Sequence, residues 1–149
     1  MSRRPSKALR EQIFARAGYC CEYCWSQLHF CPDPINAEHI TPHSRGGETT
    51  LDNLAGACFG CNGKKGERIS ATDPVSGNDA PLYHPRKDAW EQHFRWSDDF
   101  LYLIGLTATG RATIDLLDLN RLGVVNLRLV LRAQNLHPPK MKDVSSSSA

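Results

Sequence analysis

The sequence contains no apolar run long enough to cross a bilayer, and the basic N-terminal stretch MSRRPSKALR is not followed by the apolar segment of a secretory signal. We therefore expect a cytoplasmic protein with no membrane partner. The net charge is only +2, which by itself indicates no polyanionic partner, although both ends of the chain are locally basic. A length of 149 residues predicts a single domain, and the oligomeric state is not predicted.

Apolar residues are also sparse from Tyr19 to about Gly66, where cysteine, glycine, proline and asparagine are frequent. A normal hydrophobic core cannot hold such a segment together. The chain contains six cysteines, and without an export signal we expect reduced thiols rather than disulfides. Metal binding is therefore the favoured role for them.

Four cysteines form two C-x-x-C pairs, and these are Cys21, Cys24, Cys58 and Cys61. Two such pairs can offer four thiolates to one tetrahedral ion, which is typical of a structural zinc site with Zn–S distances of about 2.3 Å. Iron bound by the same four thiolates is the alternative.

The segment between the pairs is longer than the roughly 15 to 20 residues of a compact zinc ribbon, which indicates an inserted element. We expect Cys20 and Cys31 to be small buried residues and not ligands.

A carboxylate and a histidine are adjacent in the inserted element, within the stretch AEHITPHSRGG. If residues 35–40 form a strand, Glu38 and His39 point to opposite faces, because side chains alternate along a strand. A neutral imidazole is suited to take a proton from water, and a carboxylate is an oxygen ligand for Mg²⁺. The glycine pair then predicts a loop, across which Asn53 can hydrogen-bond backbone groups.

Just after the second cysteine pair, Asn62, Lys64 and Lys65 lie within one turn of a predicted helix. An amide oxygen can join a metal shell, whereas ammonium groups bind phosphate. We predict phosphate contacts for Lys64, Lys65 and Arg68, with a solvated charge cluster as the alternative. His43 is predicted to be structural or exposed to solvent.

The succession C-x-x-C, E-H-I-x-P with G-G, L-D-N-L and C-x-x-C-N-x-x-K, over residues 21–66, resembles the HNH endonucleases. The resemblance implies a ββα-metal fold that cleaves nucleic acid to give 5′-phosphate and 3′-hydroxyl ends. It implies that His39 is the general base and that Asn53 orients the loop beside it. It also implies that Glu38 and Asn62 ligate one divalent metal, Mg²⁺ or Mn²⁺. Many members have Asp and His at these two ligand positions.

Outside this motif, Ser6 can cap a helix that begins at Lys7, so residues 1–18 are predicted as an N-terminal helix before a zinc-bound catalytic element at 19–68. Residues 69–139 are predicted to hold a β-hairpin and two helices, and 140–149 a disordered tail.

Within the C-terminal part, residues 69–85 are predicted as a loop, and HFRWS and FLYLIGLT predict the hairpin. Gly110 separates this hairpin from helices over 111–120 and 122–135. The predicted hairpin core is Trp90, Phe94, Trp96 and Phe100, with stacking on nucleic-acid bases as the alternative role. A stripe of arginines on the last helix is predicted to face solvent, with a DNA-facing surface as the alternative, and consists of Arg121, Arg128 and Arg132.

Together these features predict an α+β protein in which a zinc-held ββα element forms a metal-dependent endonuclease site for double-stranded DNA. RNA is the alternative substrate. The alternative functions are a zinc-ribbon module that binds nucleic acid without cutting it and an iron-thiolate electron carrier. Neither alternative requires Glu38, His39 and Asn62 together.

Overall fold

The first helix, α1, spans Lys7–Arg16. The structure is a computed structural model that describes residues 4–140. As predicted, Ser6 caps the helix, because its hydroxyl accepts a hydrogen bond from the Leu9 N–H at 3.1 Å.

An antiparallel strand pair and a short helix follow α1. Strands β1 (Asn36–His39) and β2 (Leu54–Ala57) pair with His39 opposite Leu54, and helix α2 (Phe59–Lys65) comes directly after β2. Every residue of β2 is buried, whereas β1 has one buried position. The predicted α+β fold class with a ββα element is confirmed.

A second hairpin lies within residues 69–85, where the sequence predicts only a loop. Its strands are β3 (Ser70–Thr72) and β4 (Asp79–Pro81). The buried carboxylate of Asp73 accepts two backbone N–H groups of the turn at 3.1 and 3.2 Å and two guanidinium donors of Arg111 at 2.9 Å. The loop prediction is wrong because three-residue strands show too little alternation, and because Arg111 is distant in sequence.

The predicted aromatic hairpin is present but shorter than predicted. Strands β5 (Phe94–Trp96) and β6 (Leu103–Gly105) pair antiparallel, and a one-turn helix, α3 (Trp90–His93), precedes them. Phe94 is buried, while the two tryptophans are half-buried. Phe100 is 42% exposed in the turn with φ of +61°, so its assignment to the core is wrong.

Helix α4 (Ala108–Leu117) begins three residues before its predicted start, because the Thr107 hydroxyl accepts the Gly110 N–H at 3.1 Å and caps it. Gly110, which was expected to separate strand from helix, lies inside α4. A Cβ at this position would be 2.1 Å from the His93 carbonyl oxygen, so glycine allows α3 and α4 to pack closely. Helix α5 (Leu122–Ala133) begins where predicted.

One cluster of buried side chains connects the N-terminal helix with the last helix. The two cysteine pairs belong to it. Its other members include Ile13, Phe14, Leu54, Leu117, Leu119 and Val124. The cysteines therefore lie inside the core and not at its edge.

The arginine stripe on α5 differs from the prediction. Arg128 is only 2% exposed and donates to the carbonyl oxygens of Cys24 at 3.0 Å and Leu119 at 2.8 Å. Its guanidinium lies 5.1 Å from the centre of the Trp96 ring, and burial lowers the pKa of Arg128 to about 10. The prediction that Arg128 faces solvent is therefore wrong, whereas Arg132 is exposed as predicted.

Among the described residues, none of the helices has the length and apolar character that a bilayer crossing requires. The predicted disordered tail lies outside the described residues except for Lys140, as do residues 1–3 of the predicted N-terminal segment.

Candidate active site and metal centre

The two cysteine pairs converge on one point. All four residues are buried, and their Sγ atoms lie within 4.8 Å of one another. The Sγ atoms of Cys24 and Cys58 are 3.7 Å apart. A tetrahedral shell with metal–sulfur distances of about 2.3 Å has sulfur–sulfur edges of about 3.8 Å, so the cluster has the size that zinc requires. The predicted four-thiolate site, Cys21, Cys24, Cys58 and Cys61, is confirmed as a cluster suited to zinc.

Within each C-x-x-C pair, a backbone N–H group donates a hydrogen bond to the first sulfur. The N–H of Cys24 donates to Cys21 Sγ at 3.5 Å, and the N–H of Cys61 donates to Cys58 Sγ at 3.4 Å. Hydrogen bonds from the other three cysteines lower the pKa of Cys58, which favours the thiolate form that metals bind.

The two remaining cysteines lie outside the cluster, as predicted, but only Cys20 is buried, whereas Cys31 is half-buried. Burial raises the pKa of Cys20 and that of Cys31 to about 11, which keeps both thiols protonated near neutral pH. The Cys20 thiol donates to the Gly18 carbonyl oxygen at 3.5 Å, and the Cys31 thiol donates to the Gln27 carbonyl oxygen at 3.6 Å.

Arg121, at the start of α5, contacts the cluster from outside. Its Nη1 lies 3.5 Å from Cys61 Sγ, and its Nη2 lies 3.4 Å from Cys58 Sγ. Four thiolates around a divalent ion leave a net charge of about −2, which a guanidinium stabilises. Burial would lower the pKa of Arg121, but the cysteine charges raise it overall. A Cβ at Gly60 would lie 2.6 Å from this guanidinium, so the glycine makes room for it.

Glu38 and His39 point to opposite faces of β1, as the predicted alternation requires. Glu38 is 5% exposed, whereas His39 is half-buried. The Nε2 atom of His39 lies 2.9 Å from the Thr49 hydroxyl oxygen. Burial lowers the pKa of His39, and the charges of His43 and Lys65 lower it further, so the imidazole is neutral near neutral pH.

Asn53 fixes the loop that follows β1. Its Oδ1 accepts the Thr41 N–H at 2.8 Å, and its Nδ2 donates to the carbonyl oxygens of Thr41 at 2.9 Å and Glu48 at 2.8 Å. A Cβ at Gly47 would lie 1.8 Å from the Thr41 carbonyl oxygen, which explains why the loop needs glycine there. The predicted hydrogen bonding of Asn53 across the loop is confirmed.

Lys65 is not on the surface. Its side chain is 1% exposed, and its Nζ lies 2.6 Å from Glu38 Oε1. The same ammonium donates to the carbonyl oxygen of Ile40 at 2.8 Å and contacts that of His39 at 3.4 Å. The Tyr23 hydroxyl donates to Glu38 Oε2 at 2.7 Å. In this arrangement Lys65 binds a carboxylate and not a phosphate, which corrects the predicted contact, because the sequence spacing does not reveal that α2 turns this residue inward.

The other predicted residues of α2 and its flank are more accessible. Asn62 is half-buried and lies three residues before Lys65, so both side chains share the helix face that meets β1. Lys64 and Arg68 are exposed, and Lys64 Nζ lies 3.9 Å from a carboxylate oxygen of Asp118. His43 is exposed to solvent, which is one of the two alternatives predicted for it.

Four clustered cysteines thus enclose a ββα element whose first strand carries a histidine. The same part of the chain is similar to a known family. Residues 21–68 match the family model described as HNH endonuclease. These residues form an HNH domain. The match begins at the first ligand cysteine and ends just after α2, so α1 and the elements from β3 onwards lie outside it. Comparison with curated proteins and with solved structures gives no match.

The HNH family implies a catalytic divalent cation, and the donor atoms of Glu38 and Asn62 are of the type that Mg²⁺ and Mn²⁺ prefer. The carboxylate, however, has Lys65 on one oxygen and Tyr23 on the other, and its side chain is only 4% exposed. Burial raises the pKa of Glu38, while Lys65 and Tyr23 oppose that shift. Metal binding by Glu38 therefore requires Lys65 to release the carboxylate, and it stays a prediction.

We predict that the purified protein contains about one zinc per chain and no iron, and that Cys58→Ser lowers the zinc content strongly because a thiolate ligand is lost. Elemental analysis measures both quantities. The matched control is Cys31→Ser, which removes a half-buried thiol outside the cluster and should leave the zinc content unchanged. Equal zinc in both variants would refute the assignment of the ligands.

The Lys65–Glu38 pair generates a second prediction. Lys65→Met should lower the free energy of unfolding by about 3 to 5 kcal/mol, because it leaves a buried carboxylate without its counter-charge. Urea unfolding of the zinc-loaded protein measures this loss. The matched control, Lys64→Met, changes an exposed side chain and should cost less than about 0.5 kcal/mol.

In the double variant Glu38→Gln/Lys65→Met, at least half of the lost stability should return, because the unpaired charge is gone. If Lys65→Met is as stable as Lys64→Met, the buried pair does not exist in solution.

Proposed function

We propose that this chain is a metal-dependent endonuclease that hydrolyses phosphodiester bonds in double-stranded DNA in the cytoplasm. The observation that carries the proposal is His39, a half-buried imidazole of lowered pKa on a rigid strand of the HNH domain. Such a group is available as a base near neutral pH, whereas a protonated imidazole is not.

In the proposed reaction, His39 removes a proton from water, and the water oxygen bonds to the scissile phosphorus. The bond from phosphorus to the 3′-oxygen breaks, and the leaving oxygen takes a proton from solvent. The hydrogen bond to Thr49 holds the ring in one orientation, so the ring does not have to be ordered when substrate binds. The products carry 5′-phosphate and 3′-hydroxyl ends. This role for His39 follows the family resemblance and is supported by its exposure on the face of β1 opposite Glu38.

Asn53 has an indirect role in this proposal. Its three hydrogen bonds tie Thr41 to Glu48 and so hold the loop between the base and Thr49 at a fixed width. Thr49 lies next to Glu48 in the same loop, and its hydroxyl contacts the base. Asn53 is therefore proposed as a positioning residue for His39.

The proposal includes Mg²⁺ or Mn²⁺ with Glu38 and Asn62 as ligands, provided that Lys65 releases the carboxylate. When bound, such an ion polarises the phosphoryl group and stabilises the leaving oxygen. Lys64 and Arg68, which are exposed beside α2, are the proposed phosphate contacts of this region.

Cleavage of supercoiled plasmid in Mg²⁺ or Mn²⁺ tests the proposal. We expect His39→Ala to slow single-turnover cleavage at least about 100-fold, because general base catalysis contributes roughly that much or more. His43→Ala is the matched control, since His43 is an exposed imidazole of the adjoining loop, and it should cleave at nearly the wild-type rate. Equal rates for the two variants would remove His39 from the reaction.

The buried Lys65–Glu38 pair favours one second candidate, a zinc module that binds nucleic acid without cutting it, because this carboxylate is engaged. Wild-type protein that binds plasmid but cleaves neither DNA nor a labelled RNA in either metal would support that candidate.

A further inference from the structure

A cleft of about 500 Å³, with His39 in its lining, lies between the N-terminal part of the chain and the HNH domain. One wall comes from α1 and the residues before it, through Arg4, Pro5 and Arg10. The other wall comes from β1 and the segment that leads into it. That wall contains Pro34, Ile35, Asn36 and Ala37, with His39 completing the lining.

The lining of this cleft is strongly biased in charge. Among the described residues, the lining contains two arginines and the candidate base but no Asp or Glu. The side-chain ion pairs found within residues 4–140 do not involve Arg10. Arg10 therefore brings a positive charge to the cleft that none of these carboxylates neutralises, in the same lining as His39.

Arg10 is also held in place. It lies within α1, which is capped by Ser6, and its guanidinium carbon is 5.7 Å from the centre of the Phe14 ring. Arg10 is half-buried, and Phe14 belongs to the core. A guanidinium on a rigid helix loses little freedom when it binds, and its planar set of donors matches two oxygens of a phosphate.

The geometry points to a phosphate-binding cleft in which Arg10, with Arg4, holds the DNA backbone next to the bond that is cleaved by the water that His39 activates. This inference rests on the proposed function, because the position of the scissile bond beside His39 is taken from it. DNA is the partner that fits, because successive phosphates of one strand can meet both the base and the arginines. Arg4 and Arg10 lie outside the residues that match the HNH family model, whereas the opposite wall of the cleft lies within them.

Binding of a short fluorescent DNA duplex, measured by anisotropy without divalent metal at several salt concentrations, tests the inference. All variants carry His39→Ala, so that no substrate is consumed. We expect Arg10→Met to weaken binding about 5- to 10-fold at low salt. The slope of log K against log salt should fall by about one, because one phosphate contact is lost. Methionine retains apolar contact with Phe14, which preserves the helix packing.

Lys7→Met is the matched control, because Lys7 is an exposed basic residue of the same helix that does not line the cleft. It removes the same charge and should weaken binding less than about 2-fold, with the salt slope almost unchanged. Arg10→Lys should recover part of the lost affinity and the full salt slope, because it restores the charge without the paired donors.

The inference is overturned if Arg10→Met and Lys7→Met bind DNA equally, even when the wild-type protein cleaves plasmid. If the wild-type protein does not cleave but Arg10→Met still weakens binding selectively, the cleft is supported and only the proposed reaction fails. If Arg10→Met loses its helical signal, Arg10→Gln and Lys7→Gln are compared instead, and equal affinities would again overturn the inference.

Discussion

The convergence of four cysteine sulfurs is the interaction on which the rest of the structure depends. It joins a turn that follows α1 to the start of α2, and so closes the segment that contains β1, the loop and β2. Two arginines of the C-terminal region lie close to it. Arg121 contacts two of the sulfurs, and Arg128 is buried against the carbonyl oxygen of Cys24. The cysteine cluster thus contacts the C-terminal region as well as the HNH domain.

The candidate base is fixed from both faces of its strand. On the buried face, the ammonium of Lys65 joins the Glu38 carboxylate to the backbone carbonyl oxygens of residues 39 and 40. On the open face, Asn53 holds the loop, and Thr49 of that loop contacts the imidazole. A catalytic group must be held within a fraction of an ångström of its working geometry, and these contacts provide such support. The buried pair in turn keeps the carboxylate from a cation while Lys65 remains in place.

The sequence predicted the features that depend on short spacing. The C-x-x-C pairs predicted the sulfur cluster. The alternation along a strand predicted that Glu38 and His39 point to opposite faces. The sequence also predicted that Asn53 hydrogen-bonds backbone groups across the loop. Features that depend on which surfaces meet in three dimensions were missed. Lys65, Arg121 and Arg128 all resemble solvent-facing charges in the sequence, because only packing around the cluster turns them inward. The sequence predicts that Gly110 separates the aromatic hairpin from the next helix, whereas in the structure it allows α3 and α4 to pack closely.

Hydrogen–deuterium exchange with and without removal of zinc by a chelator tests the central claim most directly. If the metal cluster holds both parts of the molecule, the amides of β1 and β2 and those of α5 should lose protection together as zinc is removed. Persistent protection of α5 in zinc-free protein, with exchange confined to β1 and β2, would contradict the claim that the cluster organises the C-terminal helices.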